Sequence, residues 1–268
     1  MAPSLVFITS LRHPQNRNGS SMAAVLEQLV FTLRSVCAQR DRRFRVLVVC
    51  NTGQQAVFRH PLVDWIEVDL PPPSPQQRAD FGMPLLRLDR GCKYINGLIY
   101  ARRYQPSHVM FFDADDYVSN QLAELVAANP DQDGWYLDRG YLYDSADGTL
   151  GQIDNFNMLC GTSHIIKYSL LENKIPDGVK GLGREEIERT IDEYFLLYII
   201  GSHRWVAQYL AENGHPLAPL PYFGAIYHVG HGENHTARSG IIQTRAVKIS
   251  LDLVQEFSLP LTVGQNKI

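Results

Sequence analysis

The sequence is poor in several features, each of which would point to a distinct class of protein. Its 268 residues hold only four cysteines, Cys37, Cys50, Cys92 and Cys160, far apart and without a C-x-x-C pair. Neither a zinc knuckle nor a disulfide framework is expected from them. The longest apolar run, residues 194–200, is about a third of the ~20 residues a membrane-spanning helix needs. Basic residues form no block: 25 Lys and Arg face 28 Asp and Glu, for a net charge of −3. That balance argues against a protein that grips a nucleic-acid backbone. The opening MAPSLVFITSLRHP lacks the basic region and the long apolar core of a secretory signal. There is no internal repeat, and the one proline-rich stretch is PPPSP at 71–75. What remains is a soluble globular protein with an expected cytoplasmic location. Its 45% apolar and 20% charged residues are ordinary for that class. A chain this long buries roughly 70–75% of its unfolded surface without a covalent or metal staple.

The first half alternates strand and helix signals. Residues 5–10 (LVFITS), 45–50 (RVLVVC), 65–70 (WIEVDL) and 108–112 (HVMFF) read as apolar strands. From Ser20, a plausible N-cap, apolar residues recur at helical spacing through Val36. Residues 89–104 give a second helix with Cys92, Ile95 and Ile99 on one face. Continuously apolar strands separated by helices predict a parallel sheet covered on both faces. The second half is more mixed. A helix runs from Ser119 through Ala128, a hairpin over 135–144 turns at Asp147-Gly148, and a strand covers 155–162. A Gly/Pro-rich loop at 174–183 precedes a helix at 184–200, and a further helix spans 203–212. A late strand at 224–229 and a C-terminal amphipathic helix at 241–257 complete the reading. The expectation is one mixed α/β domain over 1–268: a nucleotide-binding half (1–117), an acceptor half (118–238), and a C-terminal helix and tail (239–268).

The most informative segment is VMFFDADD at 109–116. Four large apolar residues place a strand in the core, and Asp113, Asp115 and Asp116 follow at its carboxyl end, the edge where open α/β sheets bind ligands. Like charges so close raise one another's pKa unless a cation neutralises them. A hard divalent ion such as Mg²⁺ or Mn²⁺ does so and bridges to a diphosphate. Acidic turns that only cap a helix use the same residues, but position after a buried strand favours the ion.

FFDADD, preceded by Gly91-x-Lys93-x-x-Asn96-Gly97-Leu98-x-x-Ala101, resembles the donor-binding signature of glycosyltransferase family 2 and the wider GT-A fold. The resemblance is clear over roughly residues 5–120 and covers the rest in outline. It implies a GT-A, Rossmann-like, mostly parallel mixed sheet flanked by helices, and transfer of a sugar from a nucleotide-diphosphate sugar, a UDP-sugar by family default, to a saccharide or other hydroxyl acceptor. It also implies that Asp115 ligates the metal, that Asp113 lies near the ribose or a metal-bound water, and that Asp116 lies beside the donor sugar with Ala114 between them. Asp89 and Lys93 fall where the family contacts nucleotide and phosphates. Thr9, Ser10 and Arg12 would line the base. Asn51 stands where the family usually has an aspartate, which leaves the base open because an amide donates as well as accepts.

Three of the nine histidines, His228, His231 and His235, fall within eight residues. On the resemblance, His231 is the preferred late metal ligand and His228 the alternative; an imidazole added to oxygen donors suits Mn²⁺ better than Mg²⁺. The same H-x-x-H-x-x-x-H spacing also reads as a zinc site, although Gly230 and Gly232 forbid the regular helix that fixes most such arrays.

Inverting transfer, itself an inference from the family, requires a general base. Asp192 is preferred, with Glu193 beside it, although the pair reads as interior to the 184–200 helix. His203 is the alternative, with an ordinary pKa suited to the task. Trp135, Tyr136, Tyr141 and Tyr143 are candidate faces for a sugar ring.

Two other functions stay open. A nucleotidyltransferase shares the core and acidic site, but residues 12–21 hold one glycine, Gly19, rather than a glycine-rich phosphate loop. A non-catalytic sugar-nucleotide-binding module is the third option. The 241–257 helix would pack on the domain, pair two copies as a homodimer, or touch a membrane, and its few Lys and Arg disfavour the last.

Overall fold

A computed structural model of the chain describes residues 2–15, 21–72, 83–181, 183–231 and 243–260. Strands β1 (Leu5–Ser10), β2 (Phe44–Asn51), β3 (Val63–Val68) and β4 (His108–Phe111) pair in parallel in the order β3-β2-β1-β4. Strand β5 (Tyr117–Val118) belongs to a second sheet. The first sheet continues from β4 through an antiparallel strand, β9 (His164–Lys167), to β6 (Gly134–Tyr136) and β10 (Ala218–Pro219). The second sheet is completed by the hairpin β7 (Arg139–Asp144) and β8 (Thr149–Asp154), by β11 (Ala225–Val229) and by β12 (Arg245–Ala246). The main sheet is mixed and mostly parallel with helices on both faces, the GT-A, Rossmann-like arrangement expected from the sequence.

Period-2 alternation explains why the parallel strands read as unbroken apolar runs. Leu5 and Phe7 of β1, with Val46, Val48 and Cys50 of β2, face one core. Val6 and Ile8, with Leu47 and Val49, face the other. Both faces are buried, so the middle of each strand is apolar and polar residues fall toward the strand ends. The first core is covered by the helix Met22–Cys37, which is capped by Ser21 rather than Ser20: its hydroxyl accepts from Ala24 N–H at 3.3 Å. The second is covered by the long helix Met83–Ala101.

Two glycines of the long helix fix its depth. A Cβ on Gly97 would lie 2.6 Å from Cγ2 of Ile8, and one on Gly91 would lie 2.6 Å from the carbonyl oxygen of Leu196. The helix is thus wedged between the sheet and a neighbouring helix, and its register along β1 is set by both contacts.

Several boundaries differ from expectation. The long helix begins by Met83, six residues before the expected start. The expected strand at 155–162 is a short helix, Phe156–Leu159, and the sheet strand is β9 instead. The expected 184–200 helix breaks after Thr190: Ile191 is extended, and a new start follows in which Asp192 Oδ1 accepts from Phe195 N–H at 2.8 Å. This second segment turns π-helical over Phe195–Ile200, closing with Gly201 N–H donating to Leu196 O at 2.8 Å. The 203–212 helix is shortened to Val206–Glu212 and the 119–128 helix to Leu122–Ala128. Of the described residues in the expected 241–257 helix, Leu251–Phe257 are helical; that helix packs Phe257 against Tyr117, Leu150 and Ile226 of the second sheet, while residues 241–242 lie outside the described residues.

Candidate active site

The carboxyl ends of β1, β2 and β4 lie level. Ile8 pairs with Phe111, Ser10 with Val49, and Phe112 N–H donates to Ile8 O. Residues 9–12, Asn51 and the acidic loop 113–116 therefore leave the sheet at one edge, where ligand sites of such sheets form.

The three aspartates of that loop point to three different partners. Asp113 Oδ1 accepts from Arg90 of the long helix at 2.5 Å, with both side chains partly exposed. Asp115 Oδ2 lies 3.2 Å from Nε2 of His231, and its backbone carbonyl lies 3.1 Å from Nδ1 of His228. Asp116 is fully buried. Its Oδ2 accepts from the Thr162 hydroxyl at 2.5 Å and from the Cys160 thiol at 3.0 Å, and its Oδ1 accepts from His228 N–H at 3.1 Å. The protein's own donors thus meet two of the three carboxyls, Arg90 at Asp113 and Thr162, Cys160 and His228 N–H at Asp116.

Electrostatics follow from this sorting. Burial, then the charges of Asp115 and Asp113, holds the Asp116 carboxyl well above the usual carboxylate range. Asp113 pushes the Arg90 guanidinium up. Burial beside His231 brings His228 down to about 4, so its imidazole is neutral at pH 7. Tyr117 and Tyr143 flank that ring, each with centroids 5.5 Å away.

Part of this donor set has the spacing that a divalent ion requires. Two donors bound at right angles to one ion at ~2.1 Å stand about 3 Å apart, and Asp115 Oδ2 and His231 Nε2 stand 3.2 Å apart. The pair fits as two neighbouring ligands, with oxygen and imidazole chemistry suited to Mn²⁺. Among the described residues no group of three or more His, Cys, Asp and Glu is arranged to hold a metal. Such ions complete their shells with substrate phosphate oxygens and water. His235 and Asn234 lie outside the described residues.

The remaining expected positions divide sharply. Lys93 sits mid-helix rather than at a helix start and is fully buried, its ammonium donating to Asp89 Oδ2 and to Leu11 O, each at 2.7 Å. Burial lowers its pKa and Asp89 opposes that shift. Instead of presenting a charge to a phosphate, Lys93 props the exit of β1 from beneath. Asn51 donates through Nδ2 to Leu70 O at 2.9 Å; its Oδ1 and the Thr9 hydroxyl are buried and have no partner among the described residues. Ser10 and Arg12 are half-buried at the same exit. Ala114 turns its carbonyl toward the hydroxyl of Thr32 at 3.1 Å.

Among the proposed bases, Asp192 and Glu193 are exposed at the start of their helix, where Asp192 caps the first turn. His203 follows the other end of that helix, on the order of 10 Å further along. It lines a cleft with Arg90, Tyr94, Gly161, His164 and Ser202, and its Nε2 lies 3.3 Å from Met158 O. Burial pulls it down to about 4 while the charge of Asp113 works the other way. The structure thus brings His203, not Asp192, to the acidic loop. Of the expected aromatic faces, Trp135 is buried, Tyr141 stacks on Phe223 and Tyr143 on His228.

Sequence reasoning missed Arg90, Thr162 and His164. Arg90 and Thr162 reach the acidic loop across 23 and 46 residues, respectively. No local pattern signals contacts at that range.

No protein-family model and no curated protein matches the sequence. Among solved structures, S. aureus TarS 1–349 is similar at 12% identity and a TM-score of 0.44, over 84% of this chain and 60% of that one. The chain thus spans less than two thirds of that relative. The same TarS fragment in complex with UDP-GlcNAc is similar at 13% identity and a TM-score of 0.41, over 88% and 61%. The 4-diphosphocytidyl-2C-methyl-D-erythritol synthase of Anaerococcus prevotii is similar at 10% identity and a TM-score of 0.40, over 83% and 87%.

Proposed function

We propose that the chain is a metal-dependent glycosyltransferase that takes a sugar from a nucleotide-diphosphate sugar and passes it to a hydroxyl acceptor. The observation that carries this reading is the Asp115–His231 pair, 3.2 Å apart at the ligand-binding edge of the parallel sheet. A divalent ion bound there supplies positive charge for a departing diphosphate. Asp115 and His231 would hold it, Mn²⁺ being preferred. The exits of β1 and β2, with Thr9, Ser10, Arg12 and Asn51, would receive the nucleotide. Asn51 Oδ1 and the Thr9 hydroxyl, buried without partners among the described residues, are groups that a base can satisfy. Arg90 holds Asp113 so that its free oxygen faces Gly161, where a Cβ would lie 2.6 Å from Asp113 Oδ2.

His203 is the proposed base. Its neutral imidazole accepts a proton, and the adjacent Asp113 carboxylate favours the cation that results. Asp192 is the less favoured candidate because its carboxylate is committed to the helix cap.

Incubation with nucleotide-diphosphate sugars, nucleoside triphosphates and Mn²⁺ separates the classes. Glycosyl transfer or slow donor hydrolysis releases a nucleoside diphosphate, whereas pyrophosphate from a triphosphate would mark a nucleotidyltransferase and overturn the reading. His203→Gln is expected to lower kcat by about 10²–10⁴-fold; an equal loss in Asp192→Asn with His203→Gln unaffected would move the base to Asp192.

A further inference from the structure

Asp116 is positioned unlike its two neighbours. It has no exposure, and its carboxyl gathers donors from two segments distant in sequence. The 160–162 segment supplies the Cys160 thiol and the Thr162 hydroxyl, and β11 supplies the backbone N–H of His228. Two of these residues, Thr162 and His228, are tied to the other acids in turn. The Thr162 oxygen accepts from Asp113 N–H at 2.9 Å. The His228 ring reaches the Asp115 carbonyl at 3.1 Å. The His228 carbonyl lies 3.2 Å from His231 Nε2, the same atom that stands against Asp115 Oδ2.

We propose that Asp116 is a positioning residue that clamps the acidic loop to the histidine strand, and so sets the separation of the Asp115–His231 pair. This departs from its expected place beside the donor sugar, since a fully buried carboxyl with three donors has no face left for one. The inference rests on the metal-site reading above for its functional consequence, but not for its geometry. Strand β4 lies in the other sheet, and the acidic loop meets β11 only through the two-residue strand β5, which pairs Tyr117 with Ile226 and Val118 with Ala225. The Asp116 carboxyl carries that short ladder on to His228, toward the end where His231 stands. Partners one step behind metal ligands commonly govern affinity in this way.

The chemistry predicts which substitutions are tolerated. Asparagine at 116 keeps an oxygen to accept from His228 N–H and an amide to bond the Thr162 oxygen, so Asp116→Asn retains the clamp without the charge. Asp116→Ala removes it. Thr162→Val keeps the shape and removes the hydroxyl. Two readouts are needed. The first is amide hydrogen exchange without metal. The His228 amide is expected to exchange at least about tenfold faster in Asp116→Ala and to stay protected in Asp116→Asn, while the Asp113 amide loosens in Thr162→Val. The second is Mn²⁺ binding followed by electron paramagnetic resonance. Asp116→Ala and Thr162→Val are expected to lose about 10–100-fold in affinity, and Asp116→Asn to recover most of it. If Asp116→Asn is as impaired as Asp116→Ala, Asp116 acts through its charge and the proposal is overturned. It is also overturned if His228 exchange is unchanged in Asp116→Ala. Should Asp116→Ala fail to fold, Asp116→Asn and Thr162→Val decide alone. Absence of Mn²⁺ binding in the wild-type protein would refute the metal site, and the exchange rates would still settle the clamp.

Discussion

Replacing Lys93 tests whether this residue is a structural prop or a phosphate contact. Its ammonium is fully buried and bonded to Asp89 Oδ2 and Leu11 O at 2.7 Å. Methionine fills nearly the same volume, so Lys93→Met leaves little cavity. What it leaves is an Asp89 carboxylate with one oxygen stripped of its partner and the other already buried and unbonded among the described residues. Removing one member of a buried ion pair costs about 3–5 kcal/mol. At roughly 2–4 °C per kcal/mol for a chain of this size, the midpoint should fall by about 10 °C. Replacing both members with Lys93→Met and Asp89→Leu removes the orphaned charge, and stability should return to within about 1–2 kcal/mol of wild type. Thermal and urea unfolding followed by circular dichroism read both effects. A Lys93→Met protein as stable as wild type, but with nucleotide affinity lost, would refute the prop and return Nζ to the phosphates.

Three further outcomes follow from particular contacts. Gly91→Ala drives a Cβ to 2.6 Å from the Leu196 carbonyl and should destabilise by about 1–3 kcal/mol in urea unfolding; Gly183→Ala, with nothing within 4 Å of its Cβ, should cost under about 1 kcal/mol. His164 is buried, and desolvation brings it down to about 3. Its native pKa lies below the unfolded value near 6.5, so the stability it contributes is present above pH 6.5 and is lost as pH falls toward 3. Between pH 7 and pH 5 that loss is about 2 kcal/mol, and His164→Gln should flatten the slope of stability against pH by one proton; an unchanged slope would contradict the buried neutral ring. Arg90→Gln removes the cation held against Asp113 and should raise the pH at which His203 protonates, read from its ring resonances by NMR; no movement would place His203 away from that pair.

The parallel core was legible because its signal is local. Alternate residues of β1 and β2 face two different cores, and that forces the continuous apolar runs seen in the sequence. Gly91 and Gly97 were legible as a motif, and packing supplies their reason: each marks a place where a Cβ would strike a neighbour. The place of the acidic loop after a buried strand was legible, but the contacts of each aspartate were not, because the partners come from Arg90, Thr162 and β11 across 23, 46 and 112 residues. The burial of Lys93 was not legible for a related reason. An i,i+4 pair with Asp89 looks the same on a solvated face as it does beneath a strand, and only the tertiary position of Leu11 separates the two. Residues 184–200 read as one helix since apolar spacing continues across Ile191. The break is made by a side-chain cap from Asp192, which competes with the helical hydrogen bond at that point.

The central claim is that Asp115 and His231 share an ion with a diphosphate. Calorimetric titration of UDP into the protein, with Mn²⁺ and then with EDTA, tests it most directly. Binding is expected to be at least about tenfold tighter with Mn²⁺, a difference near 1.4 kcal/mol, with that gain absent in Asp115→Ala and reduced in His231→Ala. Equal affinity with and without Mn²⁺ in the wild-type protein, or a gain that survives Asp115→Ala intact, would contradict it.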